Sequence, residues 1–182
     1  MSDREPEEER SLLVDASAYI RLAAVGAADL LPALSGDVVV PDAVAAEIAD
    51  PPASEVLSSA LEDGRLARTS PGEQRLAKAA RHLGRATESP DPVTGDVALL
   101  ASALEVEEAV VATDDQEVRR TCRALSIPLS GSIGVLIRSV ETGVIAPETA
   151  RDHLHAMDEV GARLSASLVR EAERLIDEAA ED

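Results

Sequence analysis

Apolar positions along this chain come in blocks rather than alternating residue by residue. Ser11-Leu12-Leu13-Val14 is a short run that stops at Asp15, and Val38-Val39-Val40 is another, stopped by Pro41. Similar short runs stand at Arg65–Ala67, Ala109–Ala112 and Ile127–Leu129. None shows the in–out pattern of a half-exposed strand, so all five predict strands covered on both faces.

Between these runs the apolar residues recur at helical spacing. Helices are predicted over Ala18–Leu22 with Ser17 as cap, over Ala27–Leu34, and from Pro41-Asp42 through Glu47 and Ile48. Others follow at Ser54–Leu61, Gln74–Leu83, Val97–Leu104 (opened by Thr94-Gly95-Asp96) and Gln116–Leu125. Gly36, Pro51-Pro52 and Gly64 act as breakers, and Glu88–Pro92 reads as a loop. Ser132–Val140, Pro147–Val160 and Ser165–Ala179 are three final helices with caps or Pro-first starts.

Strands alternating with helices predict an α/β fold in three layers, α/β/α, with a central parallel sheet of about five short strands. Residues 1–10 read as an acidic solvated tail, 11–130 as the alternating domain and 131–182 as a C-terminal helical appendage. That appendage carries Leu154, Met157, Leu164, Leu168 and Leu175 at helical spacings. These suit packing on the domain, or a surface for a partner or a second copy.

Composition sharpens this picture. The 182 residues contain no Phe, no Trp and one Tyr, so the core is built from small aliphatic residues and aromatic base-stacking platforms are excluded. The formal charge of −18 would repel nucleic acid at low salt. At about 1 M salt the Debye length falls to roughly 3 Å and this repulsion fades. Lys78 is the sole lysine. Acid excess with almost no lysine resembles proteins of salt-in halophiles, so an archaeal, halophilic origin is the expectation, with an acidic mesophilic protein the alternative, and charge does not veto a nucleic-acid substrate. One cysteine, Cys122, excludes an internal disulfide and a Cys-based zinc site. With no leader-type or membrane-spanning apolar run, a cytoplasmic protein is expected.

Two strand runs end directly in acids: Val14 into Asp15, and Ala112 through Thr113 into Asp114-Asp115. Asp96 and Glu47 stand at or near helix starts. In open α/β sheets, sites form at the carboxyl ends of strands near the reversal of strand order. Acids converging there would repel one another unless a hard divalent cation joined them, and such a cation activates water and stabilises a leaving phosphate oxygen. Asp15, Asp96 and Asp115 suit helix N-caps equally well, and Glu47 suits plain surface. From pattern alone both readings stand.

Four stretches resemble, in order, the motifs of PIN-domain nucleases. Leu13-Val14-Asp15-Ala16-Ser17-Ala18 is similar to a strand followed by Asp-x-Ser/Thr. Val38-Val39-Val40-Pro41 through Glu47 resembles a strand, a Pro and a helix carrying Glu. Asp96 with Val97–Ala103 resembles an Asp opening a small-residue helix, and Val110 through Thr113-Asp114-Asp115 a strand ending Thr-x-Asp. The segment Ile127–Leu136, with Gly131-Ser132-Ile133-Gly134, resembles a largely uncharacterised PIN-like subfamily; its third motif usually carries Gly-Glu where this chain has Gly95-Asp96.

The resemblance implies a Mg²⁺- or Mn²⁺-dependent endoribonuclease. Asp15, Glu47, Asp96 and Asp115 would hold the metal and carry catalysis, with Asp114 the alternative to Asp115, and Ser17 and Thr113 would orient carboxylates or waters. It further implies the toxin half of a toxin–antitoxin pair, an RNA substrate, a small antitoxin partner and a homodimer. An rRNA-processing PIN nuclease ranks lower, since that family adds a Cys-rich zinc ribbon. An inactive PIN-like nucleic-acid-binding or regulatory module is the non-enzymatic alternative.

Other groups are less promising. His153 and His155 point to different sides of one helix, and His82 is expected to face solvent. Cys122 is expected as a small buried hydrophobe. Gly131-Ser132-Ile133-Gly134 lacks the Lys of a phosphate loop, so Ser132 is expected as an N-cap. Arg119, Arg120 and Arg123 could meet RNA phosphates or pair with nearby acids, and pairing is the expectation because high salt weakens phosphate contacts.

Overall fold

The computed structural model describes residues 10–34, 37–85 and 93–181. Residues 1–9 of the acidic tail, Gly36 and the Glu88–Pro92 loop lie outside the described residues. Among the described residues, β1 (Ser11–Val14), β2 (Asp37–Pro41), β3 (Ala67–Thr69), β4 (Val110–Ala112) and β5 (Leu129–Ser130) form one parallel sheet in the order β3-β2-β1-β4-β5. Helices flank it in the expected three-layer α/β/α arrangement. The order runs outward from β1 to β3 and then reverses, so β1 and β4 lie side by side at the switch point. Val14 pairs with Ala112, which brings Asp15 and Thr113 out at the same edge.

The connecting helices are α1 (Ala16–Ala24), α2 (Leu30–Leu34), α3 (Asp42–Glu47), α4 (Ala53–Glu62), α5 (Glu73–His82), α6 (Gly95–Ala103) and α7 (Gln116–Ala124). After β5 come α8 (Ser132–Glu141), α9 (Pro147–Met157) and α10 (Ala166–Ala179). Helix α6 is apolar on all sides, and Val97 through Ala103 are buried. It packs on α3, α5 and both central strands, which is why it lacks the one-sided stripe of a surface helix. Tyr19, the one aromatic residue, is fully buried.

Some boundaries differ from the sequence expectation, and hydrogen bonding explains them. The third strand begins at Ala67 instead of Arg65, because the Arg65 and Leu66 N–H groups both bond back to Ala60 O, closing the turn after α4. The fifth strand is Leu129–Ser130 instead of Ile127–Leu129, since Ile127 N–H closes α7 on Cys122 O. Helix α1 starts at Ala16 with Asp15 at the N-cap position, leaving Ser17 inside the helix. Helix α9 stops at Met157, where a π-type turn over Asp158–Ala162 takes the chain through Gly161 at φ 103°. A left-handed backbone of that kind favours glycine.

Helices α9 and α10 pack on α8 and each other, and α9 also meets α1. Leu154, Met157 and Ile176 are fully buried in the same core as β1 and β4. Leu164 and Leu175 are half-buried, and Leu168 remains 44% exposed.

Candidate active site

At the carboxyl edge of β1 and β4, the loop Thr113-Asp114-Asp115 and the start of α1 are laced together by two hydroxyls. Asp15 is 6% exposed, and its N–H bonds to Ala112 O at 2.9 Å, extending the β1–β4 ladder by one residue. Its Oδ2 accepts from Ser17 Oγ at 2.6 Å and from Thr113 Oγ1 at 2.7 Å. Each hydroxyl accepts in turn: Ser17 Oγ from Asp114 N–H at 3.0 Å, Thr113 Oγ1 from Asp115 N–H at 3.1 Å. The carboxylate is thereby fixed in one orientation.

Glu47 arrives from the last position of α3. Its Oε1 accepts the Gly95 N–H at 2.7 Å, at the N-terminus of α6 where free backbone donors favour an anion. A Cβ at Gly95 would fall 2.5 Å from Glu47 Oε2, so the glycine is what lets the carboxylate approach.

Asp96 is the second residue of α6. Its Oδ1 accepts from Arg85 Nη1 at 2.7 Å, Thr94 Oγ1 at 2.5 Å and Val97 N–H at 2.8 Å, while Arg85 Nη2 pairs with Oδ2. Partial burial opposes its ionisation, but Thr94 and Arg85 outweigh burial and hold the carboxyl below the usual carboxylate range.

Asp115 caps α7, its Oδ1 accepting the Glu117 and Val118 N–H groups at 2.9 Å each. Asp114 is turned away. Its Oδ1 accepts the Ser132 N–H at 3.0 Å and its Oδ2 lies 2.7 Å from Arg21 Nη1, tying β4 to α8 and α1. Gly131, rather than Ser132, holds the N-cap position of α8, and Asp114 supplies the capping oxygen. The glycine gives Asp114 room, because a Cβ there would sit 2.7 Å from Oδ1.

These side chains border one cavity of about 370 Å³. Asp15, Ser17, Glu47, Asp96 and Asp115 line it, joined by Thr94, Arg85 and Glu117; Asp114 does not line it, and Thr113 stands behind Asp15. Sequence reading passed over Arg85 and Glu117. Glu117 lies two residues beyond the Thr-x-Asp stretch, in the first turn of α7, and that offset was the one local signal for it. Arg85 follows α5, with its N–H anchored to Ala80 O at 2.8 Å. For Arg119 and Arg120 the expected pairing with acids gives way to carbonyl bonds. Arg119 Nη1 donates to Thr113 O at 2.8 Å and Ser130 O at 2.9 Å, clamping β4 to β5, and Arg120 Nε donates to Gln116 O.

His82 is exposed and His155 pairs with Glu173 at 3.0 Å. Cys122 is fully buried.

A family model, DUF3368, described as a PIN domain, matches residues 11–178. The chain belongs to the PIN-domain family. That match runs from β1 into α10, so the family pattern includes the C-terminal helices. No curated protein matches the chain. PIN domains are generally nucleases and typically use divalent metal ions.

The PIN-domain cavity offers carboxylate and hydroxyl oxygens, a donor set that suits a hard divalent cation. Yet among the described residues no three His, Cys, Asp or Glu groups are gathered closely enough to hold a metal. The cause is visible in the bonding: Glu47 rests on Gly95, Asp115 on the start of α7, and Asp96 on Arg85. The donors fit in kind, and convergence requires those partners to yield. Among the described residues no helix is long and apolar enough to cross a membrane.

Proposed function

We propose that this PIN-domain protein is a Mg²⁺- or Mn²⁺-dependent endoribonuclease, the toxin of a toxin–antitoxin pair. The observation that carries this is a shared cavity at the β1/β4 switch point, bordered among the described residues by five carboxylates from four separate chain segments. Structural caps alone would not need to face one another across 370 Å³ of open space.

Asp15, Glu47, Asp96 and Asp115 would hold the cation. When bound, it supplies an activated water and charge neutralisation at the leaving oxygen of a phosphodiester. Asp15 is the natural anchor, since Ser17 and Thr113 hold its orientation without drawing on the cation. Asp115 keeps Oδ1 on the α7 backbone and is itself one of the residues that line the cavity. Glu117 adds a fifth carboxylate at the rim, suited to accept a proton from the attacking water. The −18 charge makes RNA binding dependent on high salt or on that cation, and an acidic open cavity suits a small antitoxin carrying a basic group. A cytoplasmic homodimer is part of the same proposal.

A second reading, a PIN-like binding or regulatory module, draws support from the protein partners that already hold Glu47, Asp96 and Asp115.

One experiment separates the two. Cleavage of a mixed RNA pool and thermal stability are measured in multimolar KCl with Mg²⁺, Mn²⁺ or chelator, for wild type and Asp15→Asn. Metal-dependent cleavage lost in the variant supports the nuclease. Neither cleavage nor metal stabilisation in wild type overturns it in favour of the binding module.

A further inference from the structure

Beside five carboxylates, Arg85 is the sole cation among the described residues that line the cavity. Its guanidinium forks onto both oxygens of Asp96 and also donates to Thr94 Oγ1 at 2.8 Å. The second nitrogen stands 3.9 Å from Glu117 Oε2. The side chain is 38% exposed against 21% for Asp96, so the fork approaches the carboxylate from the water side. The backbone is anchored to α5 through Ala80 O, and Arg85 can therefore swing its long side chain without moving the chain.

A guanidinium fork matches a phosphate as well as it matches a carboxylate. While it holds both Asp96 oxygens, the guanidinium competes with a cation for that carboxylate. Once a cation takes Asp96, the fork loses its two-point carboxylate partner, and the cavity still holds excess negative charge, into which a phosphodiester would bring more. We propose that Arg85 is the substrate-binding residue of this site: it rests on Asp96 in the metal-free protein and transfers to the phosphodiester when a divalent cation takes that carboxylate. This rests on the metal-dependent reading above and goes beyond it by naming the group that receives the phosphate.

The proposal demands two effects of opposite sign from one substitution. Mn²⁺ binding is measured by calorimetry on metal-stripped wild type, Arg85→Ala and Arg85→Lys. Binding of a fluorescent 2′-O-methyl RNA strand of randomised sequence is then followed in saturating Mn²⁺, with its intactness checked on a gel. Arg85→Ala is expected to bind Mn²⁺ about fivefold more tightly, the scale of a partly exposed ion pair, and the strand about fivefold more weakly. Arg85→Lys, a point charge without the fork, is expected to fall between.

A purely structural Arg85 would weaken both affinities, and that result overturns the proposal. Unchanged Mn²⁺ affinity, or equal strand binding in wild type and Arg85→Ala (including none in either), overturns it while leaving the metal site standing. Absence of Mn²⁺ binding in every variant removes the metal-dependent reading itself, and this inference with it.

Discussion

The carboxylate of Glu47 fills the space in which a side chain at Gly95 would begin, with Oε2 2.5 Å from the ideal Cβ position. A helix start and an acid from a distant segment are thus mutually dependent. The atoms in the way are the far end of a flexible side chain, so Gly95→Ala should fold. Alanine gains up to about 1 kcal/mol over glycine within a helix, offset by the lost Glu47 contact, and the melting temperature should move by only a few degrees. Mn²⁺ affinity, however, should fall about tenfold as Glu47 is displaced. Calorimetric titration of the variant checks this, and an unchanged affinity would remove Glu47 from the ligand set.

Thr113 serves two groups at once, donating to Asp15 Oδ2 and accepting the Asp115 N–H. Thr113→Val keeps the shape and removes both bonds in a fully buried place. The expected cost is about 1–3 kcal/mol. Urea unfolding would show it, and Thr113→Ser should restore most of the loss. If valine proves neutral, the lacing of β1 to β4 contributes nothing to stability.

The strand ends at Asp15 and Thr113 were legible because a covered strand announces itself as an apolar run and its exit as a sudden polar residue. Both signals are local. Arg85 was not legible, because nothing near Gly84-Arg85 distinguishes it from the other arginines in the chain. Its place in the cavity comes from the docking of α5 on α6, a contact between segments that no periodicity encodes. The expectation for Arg119 and Arg120 failed for a related reason. Residue type predicted acid partners for Arg119, whereas the β4–β5 ladder presents two carbonyls in reach. The strand shifts at Ala67 and Leu129 likewise arose from helix C-terminal turns that consume the first polar groups of each run.

Burial pushes the Cys122 thiol up from 9.0 to about 11, with Arg119 opposing and Asp15 assisting. Below about pH 8 both folded and unfolded chains keep the proton and stability is unaffected. Between about 9 and 11 the unfolded chain ionises while the folded one does not, so stability falls as pH rises, by about 2–3 kcal/mol across the window. Urea unfolding at pH 8 and pH 11 should show this drop in wild type and a smaller one in Cys122→Ala. Tyr19, pushed up by burial to about 12, adds a loss of the same sign at the upper end in both proteins. At pH 8 the native thiol should resist alkylation.

Asp114 and Asp115 are neighbours with different surroundings, and substitution should separate their roles. Asp114→Ala leaves the Ser132 N–H without its acceptor and Arg21 without its carboxylate, where the Asp114 side chain is 12% exposed. The expected cost is about 2–3 kcal/mol with Mn²⁺ affinity unchanged within about twofold. Asp115→Ala removes a cap at the start of α7, a cost of about 1 kcal/mol, and takes a carboxylate from the cavity lining. Its Mn²⁺ affinity should fall about tenfold or more. Denaturant unfolding paired with Mn²⁺ titration measures both quantities on both variants. A drop in Mn²⁺ affinity confined to Asp114→Ala would reverse the assignment, and would mean that Arg21 releases Asp114 to the cation much as Arg85 is proposed to release Asp96.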